Sequence, residues 1–146
     1  MVDIPKTRGT ILIVDDEADV LWFISKMYQP LGYETLTAGS GMEALKIVEE
    51  CGEKIDLIIL DLKKPGMGGV EVLRAIRKHR PKLSVIILTA LRDKEQECEA
   101  LGIEAFIKKP YSLKDLNARV EAVIERKSEE KGAVEIESGY EPCAKY

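Results

Sequence analysis

Histidine is nearly absent from this chain, with one residue in 146, and cysteine is scarce at three. A single imidazole cannot build a His-based metal centre. His79 instead reads as a cation at a helix end. Cys51, Cys98 and Cys143 form no Cys-x-x-Cys pair, and an odd count fits a reduced compartment better than a disulfide scaffold. Cys51 and Cys98 read as small helix residues and Cys143 as a free thiol. Positive charge is in slight deficit, 22 Lys and Arg against 26 Asp and Glu, whereas non-specific nucleic-acid binding wants a basic surface. No apolar run approaches the roughly 18–20 residues that cross a bilayer. The first residues lack the apolar stretch of a signal peptide. The expectation is a cytoplasmic protein without membrane or direct nucleic-acid contacts.

What is present is a five-fold alternation of strand and helix patterns. Residues 10–14 (Thr-Ile-Leu-Ile-Val) are a continuous β-branched apolar run, as in a strand buried on both faces. The run ends in Asp15-Asp16-Glu17. Val20, Phe23, Ile24, Met27, Tyr28 and Leu31 then recur at helical spacing and predict the inward stripe of a first helix. That places Leu21 and Trp22 on its outer side, where an exposed Leu-Trp pair would suit partner docking. Residues 33–38 read as a strand, and Ser40-Gly-Met-Glu43 as a capping box opening a helix to about residue 50.

Residues 56–60 are a second doubly buried strand, again ended by an acid, Asp61. A Gly- and Pro-rich loop, 64–69, leads to a helix with Val70, Val72, Leu73 and Ile76 inward, closed by Arg77-Lys-His-Arg80 and Pro81. Residues 84–89 are a strand, 93–101 a short polar helix, 104–108 a fifth strand, and Ser112 caps a last helix to about residue 127. Residues 1–9 are an N-terminal extension, 10–127 one domain, and 128–146 a flexible tail or the start of a linker. The alternation predicts a parallel sheet with helices on both faces.

Ligands of such sheets bind at the carboxyl ends of the strands. Asp15, Asp16 and Asp61 would meet there with Thr89 and Lys109. Three ionised carboxylates repel one another, and a divalent cation removes the conflict. An all-oxygen set favours Mg²⁺, Mn²⁺ or Ca²⁺ over zinc, and Mg²⁺ commonly pairs one or two carboxylates with a phosphate oxygen. Lys109 and Thr89 would hold the remaining oxygens of a phosphoryl group.

These motifs, Val14-Asp15-Asp16-Glu17, Leu60-Asp61 with Pro65 and Gly69, Leu88-Thr89-Ala90, Phe106 and Lys109-Pro110, stand in the order found in receiver domains of two-component response regulators. The chain resembles that family over residues 10 to about 127. The resemblance implies a flavodoxin-like, doubly wound α/β fold with strand order 2-1-3-4-5 and five helices. It implies that Asp61 accepts phosphate from a sensor histidine kinase or histidine phosphotransfer protein. Asp16 would bind Mg²⁺ directly, Asp15 largely through water, and Lys63 through its main-chain carbonyl, with Mn²⁺ as a substitute. Thr89 and Phe106 resemble the switch pair, and the bond before Pro110 is expected to be cis. The chain would then be no enzyme beyond catalysing its own phosphorylation and dephosphorylation. It would change its binding to an effector protein or domain and pair with a second copy on phosphorylation.

Two positions depart from common receiver patterns, Lys63 and Leu91. Both are expected to tune hydrolysis, with Leu91 hindering the in-line water and slowing turnover. A Mg²⁺-dependent phosphohydrolase of the haloacid-dehalogenase type would place an acid where Lys63 stands. A flavodoxin-like cofactor binder would need a phosphate loop in place of Asp15-Asp16-Glu17. A receiver-like module that is never phosphorylated need not keep the full set of acids, Lys and Thr. No output-domain pattern follows residue 127, which leaves a stand-alone receiver and a piece of a longer regulator both open.

Overall fold

A computed structural model describes residues 7–62 and 68–133. Five strands, β1 (Gly9–Val14), β2 (Tyr33–Ala38), β3 (Leu57–Leu60), β4 (Ser84–Thr89) and β5 (Ala105–Lys108), form one sheet in the order β2-β1-β3-β4-β5. Every pair is parallel. The helices are α1 (Ala18–Tyr28), α2 (Gly41–Cys51), α3 (Gly69–His79), α4 (Glu95–Leu101) and α5 (Leu113–Ala133). A 3₁₀ turn, Gln29–Leu31, follows α1.

Strand residues alternate between two apolar layers because side chains in a strand point to opposite faces. Leu12, Ile58, Leu60, Val85 and Ile87 pack with α2 and α3, while Ile11, Ile13, Ile59, Ile86 and Leu88 pack with α1 and α5. These strand residues are buried in both layers, which is why β1, β3 and β4 read as unbroken apolar runs rather than alternating ones.

α1 differs from its sequence reading. Ile24 and Tyr28 are buried as expected, but Phe23 is 49% exposed, and Leu31 beyond the helix is exposed as well. Leu21, expected outside, is half-buried and packs on the α1–α5 layer. Successive helical residues turn by about 100°. A stripe centred on Ile24 and Tyr28 therefore takes in Leu21 and Ser25 and leaves Phe23 beside Trp22. The Tyr28 hydroxyl fixes this rotation by donating to Asn117 Oδ1 of α5 at 2.6 Å.

α4 begins two residues later than expected, and α5 continues past residue 127 to Ala133. Residues 128–133 are thus helix rather than tail. The segment is rich in Glu and Lys, good helix formers, and Arg126 pairs with Glu130 one turn on. Cys51 in α2 and Cys98 in α4 are buried helix residues, as expected, and Cys143 lies outside the described residues.

At the edge of the sheet opposite the candidate site, Arg126 Nη1 donates to Glu104 Oε2 at 3.1 Å and Ser84 Oγ donates to Glu104 Oε1 at 3.0 Å. The Arg126 bond is the main reason that the Glu104 carboxyl titrates below its usual value of 4.5, against the opposing effect of burial. A depressed carboxyl gives stability that is present above its ordinary value and lost as pH falls through its folded value. Glu104→Gln should therefore lower the melting temperature at pH 7 and flatten the acid limb of a Tm–pH profile. An unchanged acid limb would show the network contributes nothing.

Candidate functional site

The carboxyl ends of β1 and β3 lie side by side, Val14 opposite Leu60, so the acids that come after them are neighbours. Asp15 and Asp61 are nearly buried, and Asp16 is exposed. Main-chain hydrogen bonds continue the sheet one residue beyond its strands. Asp15 N–H donates to Ala38 O at 3.1 Å, and Asp61 N–H to Val14 O at 3.0 Å. Asp15 Oδ1 accepts from Glu17 N–H at 2.9 Å, which orients its carboxylate at the start of α1. Carboxylate oxygens of Asp15, Asp16 and Asp61 all lie within 4.8 Å of one another.

Lys109 reaches this cluster from the end of β5. Its Nζ lies 3.3 Å from Asp61 Oδ2 and 3.5 Å from Asp15 Oδ2. Its own N–H donates to Thr89 O at 2.8 Å, and the Lys109-Pro110 bond is cis. Burial raises the Asp15 carboxyl above its ordinary value, and the Asp61 charge adds to this; Glu17 N–H and Lys109 oppose it. Burial alone would weaken the Lys109 ammonium, but the Asp61 and Asp15 carboxylates outweigh it and hold the group charged. The site is an anionic rim with one ammonium inserted, a donor set suited to one divalent cation.

Thr89 is fully buried, and its Oγ1 accepts from Leu91 N–H at 3.2 Å. Phe106 pairs across the strands with Ile87 and is half-buried on the α2–α3 layer. Thr89, two residues beyond Ile87, shares that face by strand alternation. Leu91 is half-buried and packs on the same layer. Among the expected docking residues, Trp22 is 63% exposed and Leu21 is not. Phe23 takes the place of Leu21 in the exposed pair. Lys63 and Pro65 lie outside the described residues.

Two contributors escape a reading of the sequence. Gly69 stands there as a motif position with no evident cause; in the fold its N–H donates to Leu62 O at 3.2 Å, and a Cβ there would stand 2.3 Å from Leu62 Cα. Glu17 acts through its main chain, which no side-chain pattern could reveal.

The response regulator receiver domain family matches residues 11–121. The chain belongs to this family. Among curated relatives it is 36% identical over 121 residues to the alkaline phosphatase synthesis transcriptional regulatory protein PhoP of Bacillus subtilis, covering 80% of this chain and 48% of that protein. It is 34% identical over 120 residues to sporulation initiation phosphotransferase F of the same organism, covering 81% and 95%. The receiver thus spans about half the length of the first relative and nearly all of the second. Among solved structures it is similar to response regulator protein TrrA of Thermotoga maritima in complex with Mg²⁺ and BeF, with a TM-score of 0.71, 32% identity, and coverage of 79% of this chain and 98% of that one. The five parallel strands in order 2-1-3-4-5 are the flavodoxin-like receiver fold.

Proposed function

We propose that this receiver accepts a phosphoryl group on Asp61. The observation that supports it most is the Lys109 ammonium shared between Asp61 and Asp15 inside a three-carboxylate cluster. In the transfer, an Asp61 carboxylate oxygen forms a bond to phosphorus as the P–N bond of a donor phosphohistidine breaks. The imidazole leaves with a proton on its nitrogen. The β3 end fixes the direction of attack, and Lys109 moves from the carboxylates to the charge that arrives, so most of the catalysis is positioning and neutralisation. The donor set of three carboxylates fits Mg²⁺, with Asp16 a direct ligand, Asp15 acting largely through water, and the Lys63 carbonyl completing the protein ligands. Held by these residues, the metal would supply positive charge that offsets the acids and the incoming phosphoryl group; Mn²⁺ would substitute. Beyond this self-phosphorylation and its reversal the chain would be no enzyme.

Readout depends on Thr89. Its hydroxyl oxygen accepts from Leu91 N–H, which leaves the O–H proton free to donate to a phosphoryl oxygen once the side chain turns toward it. Phe106 on the same face would turn inward into the space released. Phosphate then favours whichever state lets the Thr89 hydroxyl reach it, a population shift. The changed surface would bind an effector or a second copy of the chain, with the receiver running from residue 10 through the end of α5 at Ala133. With no described helix long and apolar enough to cross a membrane, we place the protein in the cytoplasm.

Incubation with acetyl phosphate and Mg²⁺ tests the chemistry. Intact mass should rise by about 80 Da for one added phosphoryl group, and the gain should vanish in Asp61→Asn or without metal. A gain that survives Asp61→Asn would place the phosphate elsewhere. The donor is proposed to be a histidine kinase or phosphotransfer protein that docks on the exposed Trp22–Phe23 pair. Trp22→Ala should slow transfer from a phosphorylated protein donor while leaving the acetyl phosphate rate unchanged; equal slowing of both would dismiss docking.

Leu91 would set the lifetime of the acyl phosphate, through the N–H it gives Thr89 and the bulk it places at the rim. Leu91→Ala, which removes the bulk and keeps the main-chain N–H, should shorten that lifetime about tenfold or more, since even a one-methylene change at a pocket is worth about 1–3 kcal/mol. An unchanged or longer lifetime would remove Leu91 from this role.

A further inference from the structure

α4 is held very differently at its two ends. At its carboxyl end, Gly102 adopts φ +92°, a left-handed conformation natural to glycine, and its N–H donates to Cys98 O at 3.1 Å and Glu99 O at 3.0 Å. The carbonyls left over there, Leu101 O and Gly102 O, accept from Arg77 of α3. Arg77 Nε lies 3.1 Å from Leu101 O and 3.0 Å from Gly102 O, and Nη2 lies 2.6 Å from Gly102 O. The same guanidinium binds the end of its own helix, with Nη1 3.3 Å from Arg80 O and 2.5 Å from Leu83 O. One cation thus closes two helix ends at once, where the helix dipoles are negative. Only a planar fork with several donors can serve four carbonyls in this way.

The amino end of α4 has no such anchor. Its N-cap is Lys94, without a side-chain cap hydrogen bond. Its described ion pairs are Lys94–Glu97 at 3.6 Å and Lys108–Glu95 at 3.3 Å, with all four side chains substantially exposed. Exposed pairs of this kind contribute little. The segment from Thr89 to this end begins with the single Leu91 N–H bond to Thr89 Oγ1.

We propose that Arg77 is the pivot of α4: the helix turns about a carboxyl end pinned at Leu101–Gly102, and its free amino end carries the displacement. The inference rests on the reading of Thr89 as the group that responds to phosphate. It adds which end of α4 moves and which residue decides it. A helix of seven residues spans about 10 Å, so a tilt about Gly102 moves Glu95 and Gln96 far more than Leu101. The surface altered on phosphorylation would then be the Glu95 end.

Amide hydrogen exchange on the full chain tests this in two arms. In the ligand-free protein, Arg77→Gln should speed exchange at Gly102 at least about tenfold, because hydrogen bonds from a charged group contribute roughly 1.5–3 kcal/mol. Arg77→Lys, which keeps the charge without the fork, should give a smaller increase. Amides of β1 and β3 should keep their protection and certify the fold. Gly102 exchange within about twofold of wild type in the Lys variant, and in the Gln variant where it folds, would overturn the pin. In the second arm, wild type with Mg²⁺ and beryllofluoride should change exchange over residues 91–97 and leave 101–103 unchanged. Equal change along the whole of α4 would overturn the pivot. Failure of beryllofluoride to bind at Asp61, read by its ¹⁹F signal, would instead count against the phosphoacceptor, and the first arm would still decide the pin.

Discussion

Asp61→Asn should melt above the wild-type protein when no metal is present, and Mg²⁺ should narrow or reverse the difference. With carboxylate oxygens within 4.8 Å, each repulsion on Asp61 is roughly 3.5 kcal/mol at an effective dielectric constant near 20, while Lys109 at 3.3 Å returns roughly 5 kcal/mol. Two repulsions outweigh one attraction. Screening at the exposed Asp16 reduces the surplus, leaving about 1–2 kcal/mol, or roughly 3–6 °C in a domain of this size. Mg²⁺ at about 100 times its dissociation constant would stabilise the wild type by roughly 2.7 kcal/mol through mass action on the folded form. The variant, with one ligand fewer, gains less. The raised Asp15 carboxyl points the same way: its ionisation costs stability, a cost absent below its ordinary 3.8 and growing as pH rises towards its folded value. Thermal melts of both proteins with and without Mg²⁺ measure all of this. Identical melting temperatures would show that the acids do not strain the metal-free fold.

Gly69→Ala should destabilise more than any surface change near the site. The added Cβ would stand 2.3 Å from Leu62 Cα, 2.9 Å from its carbonyl carbon and 2.9 Å from its Cδ2. Two of these are main-chain atoms, so no side-chain rotation relieves the overlap. Overpacking of this kind costs about 1–3 kcal/mol, occasionally more. We expect the upper end, with Tm lowered on the order of 5–10 °C. Because Leu62 comes directly after Asp61, the strain also falls on the proposed phosphoacceptor, and phosphorylation by acetyl phosphate should slow. Gly68→Ala is the control, since a Cβ there meets nothing within 4 Å. Equal stability of the two variants would refute the close approach.

The sheet is legible in the chain because β1, β3 and β4 are buried on both faces and so carry uninterrupted Ile, Leu and Val. The acids, Thr89 and Lys109 are legible because a strand that ends in a polar residue places it at the rim by geometry alone. α1 is ambiguous for a reason specific to amphipathic helices: Val20, Leu21, Phe23, Ile24, Met27 and Tyr28 offer two overlapping apolar stripes, and spacing cannot choose between them. The Tyr28–Asn117 hydrogen bond, between residues 89 apart, makes the choice, and it belongs to tertiary structure. Arg77 looks in sequence like a charge near a helix end and no more, because its second helix, α4, is adjacent in space rather than in sequence. Gly69 announces a turn, but the proximity of Leu62 has no signature in the chain.

A crystal structure with Mg²⁺ and beryllofluoride tests the central claim most directly. The beryllium should sit on an Asp61 oxygen and the metal among positions 15, 16 and 61, with the Lys109 ammonium and Thr89 hydroxyl both turned to the fluorides. Finding the ligand bound away from Asp61, or Lys109 still paired only with Asp15, would contradict it.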